Sequence, residues 1–151
     1  MLSMSKYRAA VTTSLLLATW LASCSGASPP SPVESAEAPT QDAATRTAPV
    51  VPGRPARVFV FAGWDAGCLA VATPQVTVTS PPNQGEIFFR PGQQTTIAAS
   101  AGGTCAGKAV AGTGVYYTAR EGASGTDRFA VEARLASGET SRRVFEVSIA
   151  N

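Results

Sequence analysis

The sequence predicts a small all-β domain built from two packed sheets. Three observations predict it. Glycine and proline punctuate residues 56–151 at short intervals, no stretch there sustains a 3.6-residue apolar period, and residues 128–135 alternate between apolar and polar apart from Ala130. In that run Phe129, Val131, Ala133 and Leu135 share one face, and Arg128, Glu132 and Arg134 share the other. Ser137-Gly138 supplies a turn, and residues 143–149 return with Phe145, Val147 and Ile149 on the inward side. This is a C-terminal hairpin.

The upstream elements follow the same logic. Residues 57–62 form the first strand, and residues 75–79 form another with Val76 and Val78 inward. Pro81-Pro82-Asn83-Gln84-Gly85 turns the chain into a strand at 86–90. Pro91-Gly92 turns it again before 94–98, and 115–118 is a further strand. About seven short strands separated by turn residues make an immunoglobulin-like sandwich of two sheets.

Val115-Tyr116-Tyr117-Thr118, then Gly122, then Gly125-Thr126-Asp127-Arg128-Phe129 resembles the Y-T-P…G-x-x-G-T-D-x-F run of bacterial cadherin-like and Ig-like modules. Residues 80–87 resemble their upstream P-x-x-G turn. The resemblance covers about residues 75–149 and implies a fold, with no catalytic residue. Ala119 replaces the usual proline, Ala123 stands where an aromatic is common, and Ala130-Val131 replaces a Thr-Tyr pair. The acidic clusters that bind calcium between tandem copies are missing, so the resemblance implies no metal. Physically, Gly125 permits a positive φ, Asp127 can bond nearby backbone amides in a tight corner, and Phe129 plugs the core two residues on. Gly125, Asp127 and Phe129 are therefore read as a structural corner.

The N-terminus reads as an address. Lys6 and Arg8 precede a short apolar run centred on Leu15-Leu16-Leu17, and small residues lead to Cys24. This is the pattern of a cleavable secretory signal and is too short and interrupted for a membrane span. Leu21-Ala22-Ser23-Cys24 resembles the lipobox of bacterial lipoproteins. That resemblance implies cleavage before Cys24 and lipid on its thiol and new amino group; two or more acyl chains anchor a protein stably. An ordinary signal cut elsewhere is the alternative. Ser25, where Asp would retain a Gram-negative lipoprotein in the inner membrane, resembles outer-membrane sorting and implies a head facing the periplasm. The chain is thus divided into a signal at 1–23, a lipidated tether at 24–55 and the β domain at 56–151.

The tether holds seven of the eleven prolines, among Ala, Ser and Thr, with Val33, Val50 and Val51 as its sizeable apolar residues. Such a composition predicts a disordered, partly polyproline-II spacer, reaching roughly 90 Å extended or roughly 30 Å as a coil. Once Lys6 and Arg8 are removed with the signal, ten basic and ten acidic side chains remain. No net positive charge then argues for a nucleic-acid partner.

With Cys24 lipidated, Cys68 and Cys105 are left as a pair in an oxidising compartment. A disulfide between them closes a loop of about 38 residues, for roughly 4 kcal/mol in the chain-entropy picture. Two buried free thiols or an intermolecular bond are the alternatives. Trp64 is placed to cover this bond.

The chain has no histidine, which removes Ser-His-Asp and Cys-His catalysis. Gly102-Gly103-Thr104-Cys105-Ala106-Gly107-Lys108 lacks phosphate-loop spacing, since Ala109 follows the lysine. A glycosidase would need two acids facing a cleft, and Glu132 and Glu146 fall on outward strand faces. No catalytic residue, cofactor or metal is assigned. In Phe88-Phe89 and Tyr116-Tyr117, adjacent residues point to opposite faces, so Phe88 and Tyr116 form a candidate binding surface. The reading is a lipid-anchored, non-enzymatic envelope module whose partner is a protein or a cell-wall glycan. The alternative is an inhibitor or accessory subunit presenting a loop at residues 100–114.

Overall fold

A computed structural model describes residues 45–151. The signal, Cys24 and the tether as far as residue 44 lie outside the described residues. Six strands run in the order β1 (Ala56–Phe61), β2 (Gln75–Ser80), β3 (Gly85–Thr96), β4 (Ala109–Ala119), β5 (Gly125–Arg134) and β6 (Thr140–Ile149). They form two antiparallel three-stranded sheets, β1-β4-β3 and β2-β5-β6. A single helical turn (Ala99–Gly102) and a 3-10 turn (Gly103–Cys105) lie between β3 and β4.

The C-terminal hairpin pairs in unbroken register from Gly125↔Ile149 to Arg134↔Thr140. Phe129, Val131, Ala133, Phe145, Val147 and Ile149 are all buried in the core. From the other sheet Phe59, Phe61, Val115, Tyr117 and Ala119 meet them. An aromatic chain passes back and forth between the layers. Tyr117 of β4 stacks on Phe129 of β5 at 5.9 Å, Phe129 meets Phe145 of β6 at 5.2 Å, and Phe145 meets Phe59 of β1 at 5.7 Å. Phe59 and Phe61 then pack edge to face at 5.0 Å. Tilted and offset contacts of this kind add to the gain from area burial. The Arg143 guanidinium lies 4.5 Å over the Phe59 ring, closing this chain with a cation–π contact.

The strand count differs from the expected seven because 86–90 and 94–98 are one strand. Pro91-Gly92 makes a bulge there: Arg90 pairs with Gly114 and Gln93 with Gly112, so two residues face one. Pro91 is tolerated because β3 is an edge strand and its missing N–H need not serve a ladder. β4 is longer than the expected 115–118, although Ala109–Gly114 lacks apolar alternation. It lies between β1 and β3, and bonding on both sides offsets weak local propensity. At Gly112 a Cβ would run into the Phe61 carbonyl and the Ala62 backbone, so the close strand approach there requires glycine.

Two further expectations change. Val50, assigned to the spacer, is 1% exposed, and its N–H donates to the Ser148 carbonyl while its own carbonyl accepts from Ala150. The packed chain therefore begins before residue 56, with Val50 bridging Ile149 in parallel. Val78, expected inward, is 41% exposed because β2 is an edge strand with β5 as its one neighbour.

Cys68 and Cys105 are joined as a disulfide with their Cα atoms 5.3 Å apart. A second small cluster forms around it: Ile97, Cys105 and Val110 are buried, and Ala62, Trp64 and Cys68 pack on them. Trp64 therefore packs on the small cluster that contains Cys105. The preceding loop is held by Asp65, whose carboxylate accepts the N–H groups of Gly67 and Leu69 at 2.9 and 3.0 Å. Cys68 takes a left-handed φ of 63°, a conformation that costs a non-glycine residue and that the closed loop sustains.

The disulfide spans a sequence separation of 37, so replacing both Cys68 and Cys105 by serine should lower the unfolding free energy by about 4 kcal/mol. Urea titration of the two proteins, followed by Trp fluorescence, measures the difference. A loss below about 1 kcal/mol would mean that packing alone orders these loops.

Candidate functional site

Three arrangements hold the polar chemistry of the described residues: a buried carboxylate where the sheets meet, an outward aromatic stack on β3 and β4, and the disulfide end. The first forms because the chain turns at Pro81-Pro82-Asn83-Gln84 and re-enters as β3 beside β4. There Asp127 of β5, 4% exposed, receives four donors. The N–H groups of Asn83 and Arg128 donate to one carboxylate oxygen, each at 2.9 Å. The N–H of Gln84 (2.7 Å) and the Tyr117 hydroxyl (2.8 Å) donate to the other. Gly85 is buried against the Tyr117 ring, and the position must be glycine because any Cβ there would overlap that ring.

Burial by itself would raise the Asp127 pKa, but the donors from Asn83, Gln84, Tyr117 and Arg128 together outweigh it and hold the carboxyl below its ordinary value. The Tyr117 hydroxyl is pushed up, first by burial and then by its bond to the Asp127 carboxylate. Around them the Gln84 side chain donates to the Thr126 carbonyl at 2.9 Å, and Arg120 donates to the Asn83 carbonyl at 3.0 Å. Gly125 takes a φ of +79°, and Phe129 is 1% exposed in the core. The corner was expected to bond amides close by in sequence. Apart from its own neighbour Arg128, its amides are 43 and 44 residues away. Asp127 is a tie between sheets, and its acceptor capacity is spent on structural donors.

The second arrangement is on the outward face of β3 and β4. Phe88 and Tyr116 are directly paired across the strands and half-buried, with their rings stacked at 5.2 Å and 15°. The Arg90 guanidinium lies 5.1 Å from the Phe88 ring centre and 5.0 Å from that of Tyr116. The Tyr116 hydroxyl is 2.6 Å from the Gln93 side-chain oxygen, to which it donates. On the other side, Arg57 pairs in register with Tyr116 and donates to the Gln94 carbonyl at 3.1 Å. The two half-buried rings thus stack on each other beside the Arg90 guanidinium, with Arg57 on the neighbouring strand. Such a surface suits a carboxylate-bearing or hydroxyl-rich partner better than a flat apolar one.

The third arrangement is a cleft of about 150 Å³ between the sheets, lined by Phe59, Phe61, Trp64, Ile97, Leu135 and Arg143 among others. On the loop that follows Trp64, Leu69 and Val71 stand 68% and 37% exposed. The loop expected at 100–114 is shorter, since the strand resumes at Ala109. Among the described residues, no group of three or more Cys, Asp or Glu could hold a metal ion. Glu132 and Glu146 lie on different strands of the outward face, paired in register with Arg142 and Arg128 respectively.

The structure therefore brings Cys68 to Cys105 and Phe88 to Tyr116, and places Gly125, Asp127 and Phe129 along one strand end. Sequence reasoning missed Asn83 and Gln84 as donors to Asp127, Gly85 as the residue against the Tyr117 ring, and Tyr117 as a further donor to Asp127. The signal for the first three was the turn itself. Its Gly85, read as a turn residue, is required by the ring of Tyr117. No protein-family model, curated protein or solved structure matches this chain.

The Asp127–Tyr117 pair sets two pH limits. A carboxyl held low in the folded state contributes stability above about pH 4, lost as pH falls through its folded value; a hydroxyl pushed up contributes below about pH 10, lost as pH rises past it. Asp127→Asn should cost roughly 2–3 kcal/mol at neutral pH, by leaving buried donors unmatched, and should flatten the acid limb. Tyr117→Phe should flatten the alkaline limb instead. Thermal melts of the three proteins from pH 2 to 11 check both signs.

Proposed function

We propose that this chain is an exported, lipid-anchored protein of the bacterial cell envelope whose folded head is a non-enzymatic Ig-like module for binding or support. The observation that carries the proposal is the Cys68–Cys105 disulfide. Stable disulfides belong to compartments outside the reducing cytoplasm. This agrees with the export signal and lipobox-like Leu21-Ala22-Ser23-Cys24 at the other end of the chain. Two independent features of the covalent chemistry thus favour one location. In this reading Cys24 carries the lipid, Ser25 directs the protein to the outer membrane, and the head faces the periplasm.

A binding or structural role is supported by how the polar groups are used. The buried acid of the head is committed to four donors, and the chain has no histidine to act as a general base. The contact surface in this proposal is the Phe88–Tyr116 stack with Arg90 and Arg57. It would meet an envelope protein or cell-wall glycan through the rings and guanidinium groups. A second reading, an inhibitor or accessory subunit, is favoured by Leu69, which stands 68% exposed beside the disulfide on a loop pinned by Asp65. Rigid exposed apolar side chains of this kind seat well in a partner's pocket.

Cys24→Ser should move the protein from the membrane fraction to the soluble fraction and abolish incorporation of labelled fatty acid. Retention in membranes with no label on the parent protein would overturn the anchoring proposal. Crosslinking in intact cells then separates the two roles. Loss of crosslinked partners in a Phe88→Ser, Tyr116→Ser protein supports the sheet-face reading, and loss in Leu69→Ser supports the loop reading.

A further inference from the structure

We propose that β2 is a self-pairing edge: two copies of the chain join β2 to β2, antiparallel, about a two-fold axis at Thr77. Every sandwich of this kind has open strand edges, and an open edge is a template for another strand unless something blunts it. Three of the four edges here are blunted. β3 carries Glu86, Arg90, Pro91 and the bulge between Arg90 and Gln93. β1 has Arg57 and receives the Arg46 N–H on the Val58 carbonyl. β6 carries Arg142, Arg143 and Glu146, and Val50 is docked along its end.

Apart from a bulge at its last residues, β2 has none of these devices among the described residues. Gln75–Ser80 contains no charged residue and no proline, and four of its six residues, Val76, Thr77, Val78 and Thr79, are β-branched. Its one hydrogen-bonded neighbour is β5. Among the described residues, no other backbone hydrogen bond reaches it. Its one irregularity lies at the end, between Val78 and Ser80. The stretch 75–78 pairs in unbroken register with β5, is uncharged and, among the described residues, has an open outer edge.

A second copy is the occupant that the register favours. Residues opposite each other in an antiparallel pair share a face, so an axis at Thr77 sets Val76 against Val78 of the other copy, twice. This covers Val78, now 41% exposed, and continues the core across the seam. On the outward face the two Thr77 side chains meet, a favourable cross-strand pair. The nearest charges are on β5, where Glu132 pairs with Thr77 and Arg134 with Gln75. Across the seam the two Glu132 side chains stand three strand spacings apart, roughly 14 Å, beyond the screening length of about 8 Å at physiological ionic strength. No like charges oppose the pairing. The result is a closed two-fold assembly with one continuous six-stranded sheet, and closure removes both β2 edges at once.

The test uses the full chain carrying Cys24→Ser, so that an introduced thiol has no competitor and the outcome does not depend on lipidation. Light scattering should give twice the chain mass at concentrations up to about 100 µM, and Val78→Lys, at a site already open to solvent, should give the single-chain mass with an unchanged circular dichroism spectrum. A single-chain mass for the parent protein, or a dimer that Val78→Lys leaves intact, overturns the proposal. Register is read by cysteine substitution. Thr77→Cys places two thiols directly opposite and should crosslink on mild oxidation, whereas Gln75→Cys places them about 13 Å apart along the strands, too far to bridge. Crosslinking at 75 and not at 77 would overturn the axis.

Discussion

The carboxylate of Asp127 is the constraint around which the domain is organised. It is an ionised group taken out of water, which costs several kcal/mol unless it is fully matched. Four donors from three parts of the chain match it: the turn before β3, the hydroxyl of Tyr117 on β4 and its own neighbour on β5. Because those parts belong to different sheets, satisfying the charge requires the sheets to be in one relative position. A hydrophobic interface alone would permit sliding by a fraction of a residue; a buried carboxylate with directional donors does not.

The aromatic chain starts from that point. Tyr117 is both a donor to Asp127 and the first ring of the series through Phe129, Phe145 and Phe59 to Phe61. Polar registration and apolar packing therefore share a residue, and Gly85 is required where the two meet. At the opposite end the core is thin. The small cluster of Ile97, Cys105 and Val110 buries few side chains, and the disulfide with its Asp65-capped loop adds a covalent constraint there. Each end of the sandwich is thus closed by a different kind of chemistry, ionic at one and covalent at the other.

This division shapes what the head can offer a partner. The buried acid is occupied, so the reactive-looking residue of the motif is structural. What remains outward is rigid: a stacked Phe88–Tyr116 pair carrying Arg90, exposed aliphatic side chains on a pinned loop, and one uncharged strand edge. Rigid surfaces bind with little ordering cost, which is the physical basis for reading the head as a binding or scaffolding module.

Much of the fold was legible because period-two alternation survives wherever one face of a strand is buried. Residues 128–149 are the clearest case, with Phe129, Val131, Phe145 and Val147 all where alternation places them. The pairing of Cys68 with Cys105 was legible from the cysteine count, since reading Cys24 as a lipidation site leaves two thiols to join. What local pattern could not decide depended on partners distant in sequence. Pro91-Gly92 became a bulge because β4 pairs on both sides of it. Val50 left the spacer because Ile149 was there to receive it, and Asp127 reached past its own corner to amides more than forty residues away. Alternation, turn chemistry and cysteine count are properties of short windows and can be read from one chain. Register, edge identity and the satisfaction of a buried charge are pairwise properties of segments brought together by folding, so only the tertiary structure decided them.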